Sequence, residues 1–210
     1  MSYSIKEIYF TLQGEGFQTG KEAVFCRFSG CNLWTGREED RNKATCTFCD
    51  TDFFGIDGEN GAKYASCHDL IKTIEECWPK ELDKKFVVFT GGEPLLQLDQ
   101  ILIDELHKKG FKIAIETNGT MIPPKNIDWI CVSPKKNAEL VLLKGDELKL
   151  VHPQVKFTPE QFEELDFTHF CLQPMDGKYL QKNILECVAY CVENPLWRLS
   201  LQTHKIMGID

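Results

Sequence analysis

The 210-residue sequence has no stretch approaching the run of about 20 apolar residues that a membrane helix needs. Its start, Met1-Ser-Tyr-Ser-Ile-Lys-Glu7, has no apolar segment of signal-peptide type. These absences argue against a membrane partner, and the expected compartment is the cytoplasm. Basic runs are also missing: 24 Lys and Arg stand against 32 Asp and Glu, a net charge of −8. An acidic chain of this kind is not expected to take nucleic acid as its main partner. Internal repeats and low-complexity linkers are absent as well, so one domain over residues 1–210 is expected. Composition is otherwise that of a globular protein, 42% hydrophobic and 27% charged.

What is present begins with a regular pattern of short apolar strands. Residues 5–12 and 23–28 alternate as two strands around the Gly14-Glu15-Gly16 and Thr19-Gly20 turns. From Gly30 to Lys63 the chain is charged, Gly-containing and aperiodic, long for a loop without function. Ser66 and Asp69 then open a helix with the apolar stripe Leu70, Ile71, Ile74, Cys77 and Trp78. A buried strand at Phe86–Phe89, a helix over 97–109 closed by Gly110, and strands at 111–115, 129–133, 147–152 and 167–172 follow. Thr158-Pro159-Glu160-Gln161 reads as a helix start, and a helix over 179–193 and a strand over 197–202 finish the pattern. The stretch 134–146 has no readable pattern. Strands alternating with helices give an α/β architecture with a parallel sheet. Polar clusters follow the strands at Thr90, Glu116, Ser133, Gln173 and Gln202, which places one ligand site at the carboxyl ends.

Of the ten cysteines, Cys26, Cys131, Cys171, Cys187 and Cys191 sit in apolar or helical patterns and read as core residues. Cys31, Cys46 and Cys49 stand apart in the long loop, spaced C-x14-C-x2-C. Soft thiolates select zinc or iron–sulfur centres. Three are one short of closing a site, which on a [4Fe-4S] cluster leaves one iron open for an outside ligand. A zinc site completed by Cys26 or Cys67 is the competing reading, because a single C-x2-C does not separate the two. Downstream, Gly91-Gly92-Glu93-Pro94 follows a buried strand. Its glycines let a ligand approach the backbone and its carboxylate can meet an ammonium group; a plain strand-to-helix turn is the alternative.

The three-cysteine loop with the Gly-Gly-Glu-Pro run resembles the radical S-adenosylmethionine superfamily, whose usual motif is C-x3-C-x2-C. The enlarged first gap narrows the resemblance. So do Tyr9-Phe-Thr-Leu-Gln-Gly-Glu-Gly16, Phe25-Cys-Arg-Phe28, Cys31-Asn-Leu-Trp34, Cys49-Asp-Thr-Asp52, Glu116-Thr-Asn-Gly119 and Gln202-Thr-His-Lys205. Together they are similar to the 7-carboxy-7-deazaguanine synthase family, over nearly the whole chain.

The resemblance implies a shortened, partly open (β/α) barrel. It also implies a lyase that converts 6-carboxy-5,6,7,8-tetrahydropterin to 7-carboxy-7-deazaguanine, with loss of ammonia, in queuosine biosynthesis. Cys31, Cys46 and Cys49 would hold the [4Fe-4S] cluster, and S-adenosylmethionine would take the open iron. Phe48, Asp50, Gly92, Ser133, Pro134, Lys135, Gln173, Pro174, Met175 and Asp176 would line that cofactor's pocket. Thr51 would bind Mg²⁺, although by itself it reads equally as a turn cap. Leu12, Gln13, Gly14, Arg27, Thr90 and Asp210 would meet the pterin. Arg27 suits its carboxylate as a bidentate fork, while a structural ion pair is the competing role. Glu15, Glu116, Asn118 and His204 are further contacts without separable roles. The family often ends in proline; this chain ends Ile209-Asp210. An external one-electron donor such as flavodoxin and a homodimer are also implied. Two rival functions are an activase acting on a protein partner and a zinc-binding module without catalysis.

Overall fold

A computed structural model describes residues 2–209. Its nine strands form one sheet in the order β3-β1-β2-β4-β5-β6-β7-β8-β9. The strands β1 (Tyr3–Leu12), β2 (Glu22–Phe28) and β3 (Ala62–Tyr64) form an antiparallel flank. From β2 onward every neighbour is parallel, through β4 (Phe86–Gly91), β5 (Lys112–Thr117), β6 (Trp129–Val132), β7 (Lys144–His152), β8 (Asp166–Pro174) and β9 (Trp197–Leu199). β3 and β9 remain as edges, so the sheet curls without closing and forms the partial barrel that the resemblance implied.

A bulge in β1 between Ile5 and Glu7 prepares the site. It shifts the alternation by one residue, so that Ile5 and Ile8 both enter the core while Glu7 lies opposite Arg27 of β2.

Helix α1 (Cys67–Cys77) starts where the Ser66 side chain accepts the backbone N–H of Asp69, and it buries Leu70, Ile71 and Ile74. Helix α2 (Gln100–Lys108) is capped by Asp99 and buries Leu102, Ile103 and Leu106. Both cover the outer face of β1, β2, β4 and β5, where most of the core lies. Helix α3 (Leu180–Glu193) covers β8 and β9 and closes a smaller apolar cluster with Phe170, Cys187 and Trp197.

Several expectations shift. The helix expected over 97–109 is a 3₁₀ turn at Pro94–Leu96 followed by α2, because Asp99 takes an extended cap conformation between them. Gly110 does end it, at φ 81°. The start at Thr158 yields only a 3₁₀ turn, Pro159–Phe162. Asp166 already opens β8, leaving no length for an α-helix. Neither β5–β6 nor β6–β7 carries a crossover helix, which accounts for the unreadable 134–146. The last strand stops at Leu199 and the chain turns into a short helix, α4 (Thr203–Met207), that the sequence pattern did not reveal.

Candidate active site

The carboxyl ends of the parallel strands meet the long loop around a cleft of about 970 Å³. Cys31, Cys46 and Cys49 line it from the loop, and Phe48, Asp50 and Thr51 lie beside them. Gly92, Ser133 and Lys135 line it from the ends of β4 and β6, and Gln173, Pro174, Met175 and Asp176 from β8. Pro134 is the exception: it is buried and does not reach the cleft.

Adjoining this cleft is a second one of about 1070 Å³, lined by Leu12, Gln13, Gly14, Arg27 and Thr90. Asp50, Thr51, Thr90, Glu15, Glu116 and Gln202 border both. The expected cofactor and substrate residues therefore fall into two connected spaces. Asp210 lies outside the described residues.

Three thiols reach the first cleft and no fourth cysteine does. Cys26 is fully buried in the core, and Cys67 packs against the core at the start of α1. Among the described residues, no three Cys, His, Asp or Glu side chains are gathered tightly enough to grip a single ion. Three thiols around one cleft suit a cluster bound by thiolates. Leu33 N–H donates to Cys31 Sγ at 3.4 Å. Burial pushes the Cys31 and Cys49 thiols above their ordinary pKa.

The Gly-Gly-Glu run, whose Gly92 borders the cleft, also packs backbone against backbone. A Cβ on Gly91 would come within 2.7 Å of the Phe28 carbonyl oxygen, and one on Gly92 within 1.8 Å of that of Gly30. The glycines therefore let β4 pack against the backbone that leads into Cys31, and Glu93 N–H donates to Gly30 O at 2.9 Å. Glu93 itself is wholly buried. Its carboxylate accepts from Leu95 N, Thr117 Oγ1 and Asn118 N at 3.0, 2.8 and 2.8 Å. It is committed to holding the β4 and β5 turns together, so the expected meeting with an ammonium group is not available to it.

The floor shared by the two clefts is a buried charge network. Lys149 on β7 lies 2.7 Å from Glu15 and 2.8 Å from Glu116 of β5. Burial works to raise the Glu15 pKa, but the Lys149 charge and hydrogen bonds from Lys149 and Gln202 outweigh it and hold the group at about 2. Burial alone would neutralise Lys149; Glu116 and Glu15 keep it charged, with its pKa well above normal. Gln13 donates to Glu116 at 3.2 Å, and Gln202 to Glu15 at 2.9 Å and Asp50 at 3.1 Å. Lys205 on α4 bridges Asp50 and Asp176 at 2.5 and 2.6 Å. The last turn of the described chain thereby joins the loop to the end of β8.

Arg27 reaches the second cleft with its Nε on Glu7 at 2.7 Å and Nη2 on the Tyr9 hydroxyl at 3.3 Å. Its Nη1 makes only a long 3.4 Å contact to Gly91 O. The ion pair fixes one edge of the guanidinium while the group still borders the cleft. His204 also borders it, packed so closely on Gly14 that a Cβ there would lie 2.3 Å from Nδ1.

Sequence reasoning missed Lys149 and Lys6. Lys149 carried a signal, a lone cation inside the apolar run Leu148–Val151. Lys6, which binds Asp52 at 2.8 Å and Asp57 at 2.7 Å, carried none, because only the bulge turns it inward.

Comparison with known proteins agrees with this geometry. The Radical SAM superfamily profile matches residues 42–210, which contain Cys46 and Cys49 but not Cys31. A curated 7-carboxy-7-deazaguanine synthase from Caulobacter vibrioides is 60% identical over 209 residues, covering the whole of both chains. One from Bacteroides thetaiotaomicron is 39% identical, also over the whole of both. The crystal structure of QueE from Escherichia coli superposes with a TM-score of 0.73 at 28% identity, covering 96% of this chain and 94% of that one.

Proposed function

Because the chain belongs to the 7-carboxy-7-deazaguanine synthase family of the radical SAM superfamily, we propose that its two connected clefts divide that reaction between them. The thiol-lined cleft holds a [4Fe-4S] cluster on Cys31, Cys46 and Cys49, with S-adenosylmethionine between the loop and the ends of β6 and β8. The adjoining cleft holds 6-carboxy-5,6,7,8-tetrahydropterin. The observation that carries this reading is the meeting of three thiols, and no fourth, with the strand-end polar groups in one cleft.

When bound, the reduced cluster and S-adenosylmethionine supply a carbon-centred radical, which starts the ring contraction that ends in 7-carboxy-7-deazaguanine and ammonia. The protein's part is to bind, orient and exclude water. Arg27 offers its guanidinium to the substrate carboxylate, with Glu7 holding the fork in place. Glu116 and Gln13 present acceptor and donor groups to the pterin's polar edge from the shared floor. Lys149 keeps Glu15 ionised, so Glu15 is not a proton donor at neutral pH. Thr51 borders both clefts, and its hydroxyl would hold Mg²⁺, an ion that commonly keeps several waters.

A small electron carrier such as flavodoxin supplies the electron, and the chain works in the cytoplasm as a homodimer. The exposed Leu185, Val188 and Val192 on α3 support a face that a second copy covers. No helix among the described residues is long and apolar enough to cross a membrane.

Anaerobic incubation of the reconstituted protein with substrate, S-adenosylmethionine, Mg²⁺ and reductant tests the reading. Mass spectrometry should find 7-carboxy-7-deazaguanine and an equivalent of ammonia. A loaded cluster that cleaves S-adenosylmethionine yet leaves the pterin unchanged would overturn the substrate assignment.

A further inference from the structure

The fourteen residues between Cys31 and Cys46 must return the chain so that distant thiols face one cleft, and little regular structure helps them. The only helical element is the 3₁₀ segment Glu38–Lys43, which buries no residue. Two backbone hydrogen bonds, from Thr45 N and Cys46 N to Leu33 O at 3.0 and 3.3 Å, close the base of the excursion. Beyond Cys46, no backbone hydrogen bond ties the Thr47–Cys49 stretch to the rest of the loop.

One side chain does. The Arg41 guanidinium lies 4.0 Å over the Trp34 ring. Trp34 is itself fixed, buried edge-on against Phe53 at 5.5 Å and donating from Nε1 to Arg37 O at 3.1 Å. From that platform Arg41 Nη1 donates to Thr47 O at 3.1 Å and Cys49 O at 2.9 Å. Glu38 takes the other edge through Nε at 2.7 Å and Nη2 at 2.5 Å. One face and two edges of the planar group are used: the face stacks on Trp34, Nη1 holds the carbonyls of Thr47 and Cys49, and Nε with Nη2 holds Glu38.

We propose that Arg41 is a positioning residue for the cluster ligands, setting the Cys46–Cys49 turn against the Cys31 segment by stacking on Trp34 and holding the carbonyls of Thr47 and Cys49. The inference rests on the reading of the three thiols as cluster ligands. A lysine does not replace it, because an ammonium has neither the planar face for the indole nor a fork for two carbonyls and a carboxylate together. Arg41 also brings a fixed positive charge close enough to interact with Cys46 and Cys49, its Nη1 lying 2.9 Å from the Cys49 carbonyl. Its partner Glu38 is largely exposed and compensates that charge only in part.

The test compares the parent chain with Arg41→Met, Arg41→Lys and Glu38→Gln after anaerobic reconstitution. It reads iron retained per chain against a chelator and the midpoint potential of the retained cluster by electron paramagnetic resonance. Retention should fall about tenfold in Arg41→Met, the scale seen when groups orienting metal ligands are removed, with little rescue in Arg41→Lys. The cluster that remains in Arg41→Met should have a more negative potential. Glu38→Gln should keep its iron and shift the potential positive. Parent-like retention and potential in Arg41→Met would overturn the proposal, as would full rescue by lysine. So would a loss of iron without any shift in potential, which is what general loosening of the loop produces. A parent chain that takes up no cluster contradicts the proposed function itself, a result distinct from equal loading of parent and variants.

Discussion

Residues 30–61, which carry the three thiols, and the ends of β5 and β7, which carry Glu116 and Lys149, face one cleft but are fixed by different physics. The loop has almost no regular structure. It is tied by two cations, half-buried Arg41 on the carbonyls of Thr47 and Cys49 and buried Lys6 on the exposed carboxylates of Asp52 and Asp57 and on the Phe54 carbonyl. The floor belongs to the sheet. Lys149 and its two carboxylates are set by strand register, desolvated, and closed by Gln13 and Gln202. Ion pairs whose carboxylate stands in water are worth about 1 kcal/mol or less each and can be remade after the chain opens. A buried charge has no such freedom, because losing a partner leaves it desolvated and unpaired. The loop is thus built to admit a cofactor, and the floor to stay unchanged while chemistry proceeds above it.

That contrast breaks most sharply at the thiols. Cys49→Ala should abolish product formation while leaving the urea unfolding midpoint of the cluster-free chain where it was, since Cys49 belongs to no core cluster. A shifted midpoint would mean that the loop contributes to stability more than its ties allow. Lys149→Met attacks the floor instead. It leaves the half-buried Glu15 and Glu116 without their cation, and should cost about 3 kcal/mol in urea unfolding as well as activity. A loss below 1 kcal/mol would show water reaching the floor.

Arg27→Lys is smaller and separates binding from structure. With Glu7 still able to pair a lysine, stability should hold while KM rises about tenfold, because a point charge does not reproduce the fork. Loss of stability with an unchanged KM would make Arg27 only a strap between β1 and β2.

The acid limb of stability gives the smallest effect. Glu15 has its folded pKa depressed to about 2 by Lys149 and Gln202 against burial, so it binds protons less readily in the folded chain than in the unfolded one. Its contribution is full above the ordinary carboxylate value of about 4.3 and fades as pH falls from there toward 2. Glu15→Gln should flatten the parent's loss of stability in that window. An identical slope in both chains would place the network's acid sensitivity elsewhere.

The sheet was largely legible because parallel strands buried on both faces read as short apolar runs, as at Phe86–Phe89. The thiols and the strand-end polar groups were legible for a related reason: residue types that carry chemistry stand out against a loop. What hid was set by tertiary context. Lys6 turns inward only because β1 bulges, and α4 is too short to show periodicity. In sequence Glu93 resembles a ligand-facing carboxylate but is buried, and Gly92 borders the cleft. Only the approach of Gly30 and the turn after β5 shows them fastening backbone to backbone. Lys149 was visible as an anomaly, a cation in an apolar strand, yet its meaning depended on two carboxylates more than 30 residues away in sequence.

The central claim is that three thiols hold a cluster with one iron left open. Electron paramagnetic resonance of the anaerobically reconstituted, reduced protein, recorded with and without S-adenosylmethionine, tests it most directly. A [4Fe-4S] signal whose g-values move when S-adenosylmethionine is added is the predicted result. A colourless protein that keeps one zinc per chain, or a cluster signal indifferent to S-adenosylmethionine, would contradict it.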